Sequence, residues 1–280
     1  MITNNVHAGA LHDAAPPRRT DKPQMDMTLS LTTPMFALAL ALVFAIAVLY
    51  ASVGHGGGSG YLAALSLLGI PAARMASTAL ILNLFVAGIG LVAFFRAGHL
   101  SGRLTRPFLI GSAPAAVLGG WSQVSPRIYA VLLGGCLMVA AWRLVIEVYR
   151  PPERQRRSPP PVLMGWLGAI LGWISGVVGV GGGIFLSPLL LLAGWATPQQ
   201  TAASSACFIV VNSAAGLAGR ALGGTLDVLP VWPFIGAAFV GGLLGARVGA
   251  HHLSGRRLKG VLAVVLLVAA MKLFAKGLAG

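Results

Sequence analysis

"PMFALALALVFAIAVLYASVGHGGGSG", residues 34–60, begins as an apolar run long enough to cross a bilayer and ends in five glycines, a histidine and a serine. Apolar chain resumes at once. A second stretch, "GVGGGIF" at 179–185, closes another apolar run in the same way. A helix interrupted at membrane depth leaves N–H and C=O groups without partners, at a cost of several kcal/mol each, so a break persists only where protein or a water-filled cavity supplies partners. Glycine permits the backbone angles of such a break and lets a ligand approach the bare chain. Helices restarting near Ser59 and Ile184 would each aim an N-terminus, with N–H donors and partial positive charge, into it.

Composition agrees with a membrane setting. Of 280 residues, 56% are hydrophobic and 9% charged, and the mean hydropathy is +0.83; soluble domains do not reach these values. Runs near 34–53, 75–95, 107–122, 128–146, 162–179, 201–219, 230–249 and 260–275 read as spans, and two shorter pieces, 59–70 and 184–195, follow the glycine clusters. The expected fold is an all-α polytopic membrane protein with eight to ten segments. Residues 1–33 read as a disordered polar tail, 34–148 as a first transmembrane repeat, 149–161 ("YRPPERQRRSPPP") as a basic cytoplasmic linker, and 162–280 as a second repeat.

The formal charge of +14 is spread through membrane-flanking loops without a nucleic-acid motif, so it reflects orientation in the membrane and not nucleic-acid binding. Cys136 and Cys207 lie singly in apolar spans without ligand spacing, and no metal or other cofactor is expected.

A shift of 125 superposes Gly54, Gly56, Gly57 and Gly58 on Gly179, Gly181, Gly182 and Gly183, and a shift of 127 brings "PAARMASTA" (71–79) over "PQQTAASSA" (198–206). Two motifs recurring in order describe a duplication, and glycine-interrupted spans at equivalent places in two halves point to a transporter's binding site. Packing glycines, common in membrane bundles, are the competing reading. The candidate substrate-binding residues are His55, Gly56, Gly57, Gly58, Ser59 and Gly60 in the first break and Gly181, Gly182, Gly183 and Ile184 in the second. Arg74, Ser77 and Thr78 join them from the helix after the first break, and Thr201, Ser204, Ser205 and Asn212 from the helix after the second. Thr201, Ser205 and Asn212 share a helical face; hydroxyls and an amide donate to an oxyanion, although Ser and Thr also bond back to their own helix. Asn83 does not share the Ser77/Thr78 face. His55, matched by Val180, can donate to an anion or titrate, or be satisfied by a neighbouring carbonyl. Arg96, Arg220 and Arg247, near span ends, are expected to snorkel to the interface. No Asp or Glu lies mid-span, which disfavours cation transport and suits an anion.

The paired GxGGG segments, each followed by an apolar stretch, a proline and a small hydroxyl-bearing helix start ("ASTA", "ASSA"), in a duplicated chain with a basic central loop, resemble the TauE/SafE sulfite exporters, or TSUP permeases, over about 34–275. The resemblance implies a multi-pass permease of a bacterial inner membrane that moves sulfite, organosulfonates or related small anions. Its partners would be that anion and the lipid bilayer, with a homodimer left open. The competing class is a rhomboid-like intramembrane serine protease using "GGSG" (57–60) with His99, but the second half keeps the glycines and loses both His and Ser. Counting each short piece as a crossing gives five crossings per half, inverted halves, and a cytoplasmic 250–259 loop. Treating the pieces as re-entrant gives four and parallel halves.

Overall fold

The computed structural model describes residues 33–52, 55–149, 159–228 and 231–249 and, within 266–275, residues 266–268, 270, 271 and 273–275. The tail to residue 32, Gly54, the linker core 150–158 and the 250–259 loop lie outside the described residues. Every described element is helical: α1 (Thr33–Ser52), α2 (Gly58–Leu67), α3 (Ala72–Arg96), α4 (Gly102–Trp121), α5 (Pro126–Tyr149), α6 (Pro161–Val178), α7 (Gly183–Leu192), α8 (Pro198–Leu222) and α9 (Val231–Gly249). A further apolar helical piece runs Leu266–Ala275. By length and composition four stretches, Pro34–Ala51, Ala72–Arg96, Pro161–Val178 and Pro198–Leu222, are able to cross a membrane unaided.

Local chemistry sets the boundaries. Pro198 occupies the first turn of α8 behind a capping box, in which the Thr197 hydroxyl accepts from the Gln200 N–H (3.3 Å) and the Gln200 side chain accepts from the Thr197 N–H (3.1 Å). Pro71 stands one place earlier, as the N-cap of α3. The outward surface is apolar: Trp121, Trp166, Trp232 and Ile110 are 58–81% exposed, as lipid contact requires and water would penalise.

Glycines fix how the long helices pack. A Cβ on Gly168, Gly172 or Gly176 of α6 would strike the carbonyls of Phe108, Ser112 and Ala116 of α4 in turn. The constant offset means that α4 and α6 run parallel, backbone on backbone, as small residues in a lipid-embedded seam allow. Gly241 and Gly245 of α9 meet the Phe44 and Val48 carbonyls of α1 in the same parallel manner. α8 runs parallel to α4, with Thr105 at Ser204, Val117 at Gly219 and Trp121 at Gly223. α3 and α8 are antiparallel: Leu80 lies at Gly216, whereas Ala87 lies level with Ile209, both touching Gly56. These pairings exchange under a shift of five elements, α4 with α6 becoming α9 with α1, and α4 with α8 becoming α9 with α3. Close backbone packing through glycine therefore holds for the α4/α6 and α1/α9 seams.

Candidate functional site: the two glycine breaks

The first short helix, α2, turns back on the helix before it. A Cβ at Gly60 would lie 2.6 Å from Ile46, and the Ser59 hydroxyl is 2.6 Å from that of Tyr50, so the first turn of α2 lies beside the last turns of α1. A Cβ at Gly182, the N-cap of α7, would likewise sit 3.3 Å from the Ser175 side chain on α6. The breaks require left-handed backbone at Gly57 (φ 91°), Gly179 (86°), Gly181 (80°) and Gly182 (77°), conformations that cost an L-residue about 1–2 kcal/mol.

The two breaks meet. Gly58 packs against the Val180 carbonyl, and that carbonyl accepts from Asn83 Nδ2 at 3.2 Å. Gly56 and Gly181 both face Asn83 and Ile209. The antiparallel pair α3/α8 thus carries two residues, the polar Asn83 on α3 and the apolar Ile209 on α8, that touch both breaks at once. His55 crosses between the halves too: its Nε2 lies 2.7 Å from Ser187 Oγ on α7, which is 2.7 Å from Ser205 Oγ on α8. Ser187 Oγ also lies 2.9 Å from the Gly183 carbonyl, which accepts from it, and the tautomer of the imidazole sets which of His55 and Ser187 donates to the other. One partner of the His55 ring is thus the Ser187 hydroxyl.

Carbonyls at the broken end of α6 are satisfied internally, as the hydrocarbon setting demands. Arg220 donates to Gly176 O (3.1 Å) and Val177 O (2.7 Å), and Tyr129 donates to Val178 O (3.1 Å). Arg220 is 6% exposed, so it does not snorkel: the negative end of α6 supplies its partners.

The N-termini on the other side of the breaks are different. No side chain caps α2 or α7, leaving the first-turn N–H groups without side-chain acceptors. Around them several fully buried polar atoms find no partner among the described residues: Tyr61 OH beside Gly57, Asn83 Oδ1 beside Gly56, Ser213 Oγ beside Gly181, and Ser175 Oγ on the residue facing Gly182. An unmet buried polar group costs about 1–3 kcal/mol. Four such atoms lie beside the residues that lead into the two uncapped helix starts.

Of the residues singled out by sequence, the structure brings His55, Gly56 and Gly58 of the first break together with Gly181 and Gly183 of the second, and adds Ser205 through Ser187; Gly57 lies against Tyr61, Ser59 and Gly60 face α1, Gly182 faces Phe208 and Ser175, and Ile184 is buried in the apolar core. The helix-start polar residues mostly go elsewhere. Ser77 donates to its own helix at Ala73 O (3.0 Å), and Ser204 pairs with Thr105 of α4 (2.9 Å). Arg74 is ion-paired to Asp227 (2.9 Å), nine residues before Asn83 and so about 13 Å away along α3. Thr78 is fully buried about 7 Å before Asn83 on that axis. Thr201 is buried near the start of α8 with its hydroxyl unpartnered, and Asn212 donates to Phe208 O (2.8 Å). Sequence reasoning set Asn83 aside and missed Tyr61, Ser175 and Ser213. Ser59 bonds a phenol on α1, and His99 lies beyond the end of α3 against Phe94, so the two do not form a protease dyad.

A helical, lipid-surfaced bundle with a buried polar centre between two helix breaks has the architecture of a multi-pass membrane transporter. The chain belongs to the family Sulfite exporter TauE/SafE, which matches residues 38–273. It is 39% identical over 246 residues to the probable membrane transporter protein y4hK of Sinorhizobium fredii (strain NBRC 101917 / NGR234), covering 86% of this chain and 98% of that protein. It is 26% identical over 239 residues to the probable membrane transporter protein ORF9 of a Sinorhizobium species, covering 80% and 87% respectively. No solved structure matches.

Proposed function

We propose that this protein carries a small oxyanion, sulfite or an organosulfonate being the leading candidates, across a bacterial inner membrane, without chemical conversion, at a site between the two glycine breaks. The observation that carries the reading is that Asn83 touches both glycine breaks, at Gly56, Gly58 and Gly181, each break leading into an uncapped helix N-terminus, α2 and α7. Both ends present N–H donors and partial positive charge to one point. Asp227, the acid whose side chain is described, is held by Arg74 well away from that point, so no described carboxylate opposes an anion there.

The helix directions support halves of opposite orientation, with α2 and α7 as short crossings. Antiparallel α3 and α8 occupy equivalent places, and so do the pairs α4/α6 and α9/α1. Arg96, Arg103 and Arg106 then share a side with the arginine-rich linker, the cytoplasmic one by the positive-inside rule.

The test is flux in proteoliposomes of the purified chain with sulfite, methanesulfonate, sulfate, acetate and chloride. Saturable flux of a sulfur oxyanion, lost in Gly58→Leu, is expected. Cation flux, or no saturable flux of any anion, would overturn the proposal.

A further inference from the structure

The polar ring at the breaks is chemically uneven. Tyr61, Ser175 and Ser213 hold hydroxyls that donate, and the helix starts add N–H donors. Asn83 is the exception. Its amide N–H is committed to the Val180 carbonyl, an arrangement that orients the group, because a flipped amide would set oxygen against oxygen. That leaves Oδ1, an acceptor, turned toward Gly56, fully buried and without a partner among the described residues. A fully ionised, donor-free oxyanion gives this atom nothing and places negative charge against it.

We infer that the site selects a small oxyanion that retains one O–H or N–H donor, read by Asn83 Oδ1, over an isosteric anion that lacks it. The inference rests on the anion-carrier reading and narrows its substrate class: hydrogensulfite, or a sulfonate bearing a hydroxyl or amino group, fits, and sulfate does not. A site built to bond a substrate O–H rejects the analogue without it strongly, because the buried acceptor is then left unmet. The anion's oxygens meet the hydroxyls and N–H groups while its donor meets Asn83, so one pose satisfies both kinds of wall.

The probes are methylphosphonate and methanesulfonate at mildly acidic pH. Both are then monoanions of nearly the same shape, and they differ by a single P–O–H proton. Affinity is read from the ligand-dependent thermal shift of the full chain in detergent and checked by competition against flux. The wild type is expected to prefer methylphosphonate by about ten-fold or more, the consequence of leaving a buried acceptor unmet. Asn83→Leu, close in volume, should bring the ratio of the two affinities near one. Equal affinity of the two anions in the wild type would overturn the inference and leave the carrier reading standing; binding of neither, nor of sulfite, would sink the carrier reading itself. A variant that weakens both anions equally would show that Asn83 acts only through its bond to Val180. Should Asn83→Leu fail to fold, the wild-type ratio decides alone, with Asn83→Thr as the second variant.

Discussion

Gly182→Ala is the smallest change that separates a break glycine from a packing glycine. At position 182 the backbone has φ 77°, and an added Cβ would stand 2.6 Å from the Phe208 ring. The left-handed conformation costs a non-glycine residue about 1–2 kcal/mol, and overpacking a filled core costs about 1–3 kcal/mol more. Together these give a destabilisation of about 2–5 kcal/mol, concentrated at the N-terminus of α7. Gly88→Ala in α3 is the matched control: the residue is helical, and nothing lies within 4 Å of its added Cβ, so the exchange should stabilise by about 0.5–1 kcal/mol. Both proteins are inserted, purified and compared by thermal unfolding in detergent and by initial flux. Gly182→Ala should unfold earlier and lose most flux while still reaching the membrane, since insertion follows total hydrophobicity. Gly88→Ala should match or exceed the wild type in both. Equal unfolding and flux for the two variants would refute the strain and close approach assigned to the break.

Other expectations follow from single contacts. Arg220→Met removes both bonds to the α6 carbonyls and should destabilise by about 2–4 kcal/mol, with Arg220→Lys recovering part of it; thermal unfolding checks this. Ser59→Ala loses one bond to Tyr50, so flux should fall only several-fold for a loss of about 1 kcal/mol, whereas abolished activity would revive the nucleophile reading. Cysteines introduced singly at Ser158 and Ser254 should be labelled from the cytoplasmic side and one at Ser125 from the opposite side; labelling of Ser254 with Ser125 would reverse the proposed orientation of the halves.

The spans were legible because apolar length is itself the determinant of a crossing, and their observed ends fall within a residue of the sequence limits at α1, α6 and α9. The breaks were legible as well, since glycine flanked by apolar chain on both sides has few other uses at membrane depth. The partners of the breaks were not. Asn83 was judged by the face it shares on its own helix, but what it reaches is set by the antiparallel α8 and by Val180 in the other half, which no spacing within α3 encodes. Ser77 and Ser204 carried the expected chemistry and spent it on Ala73 and Thr105, a choice made by helix register. Arg220 looked like an interfacial residue because a span end is where arginine usually finds water; here it finds the uncapped carbonyls of a helix that stops inside the bundle.

The central claim is that the anion sits where the two breaks meet. Selenite places a strong anomalous scatterer on the geometry of sulfite, and an anomalous difference map of crystals soaked in it locates the anion directly. The account predicts a peak between Gly56–Gly58 and Gly181–Gly183, within hydrogen-bonding distance of the first-turn N–H groups of α2 and α7. A sole peak in a loop, or on the lipid-facing side of these helices, would contradict it.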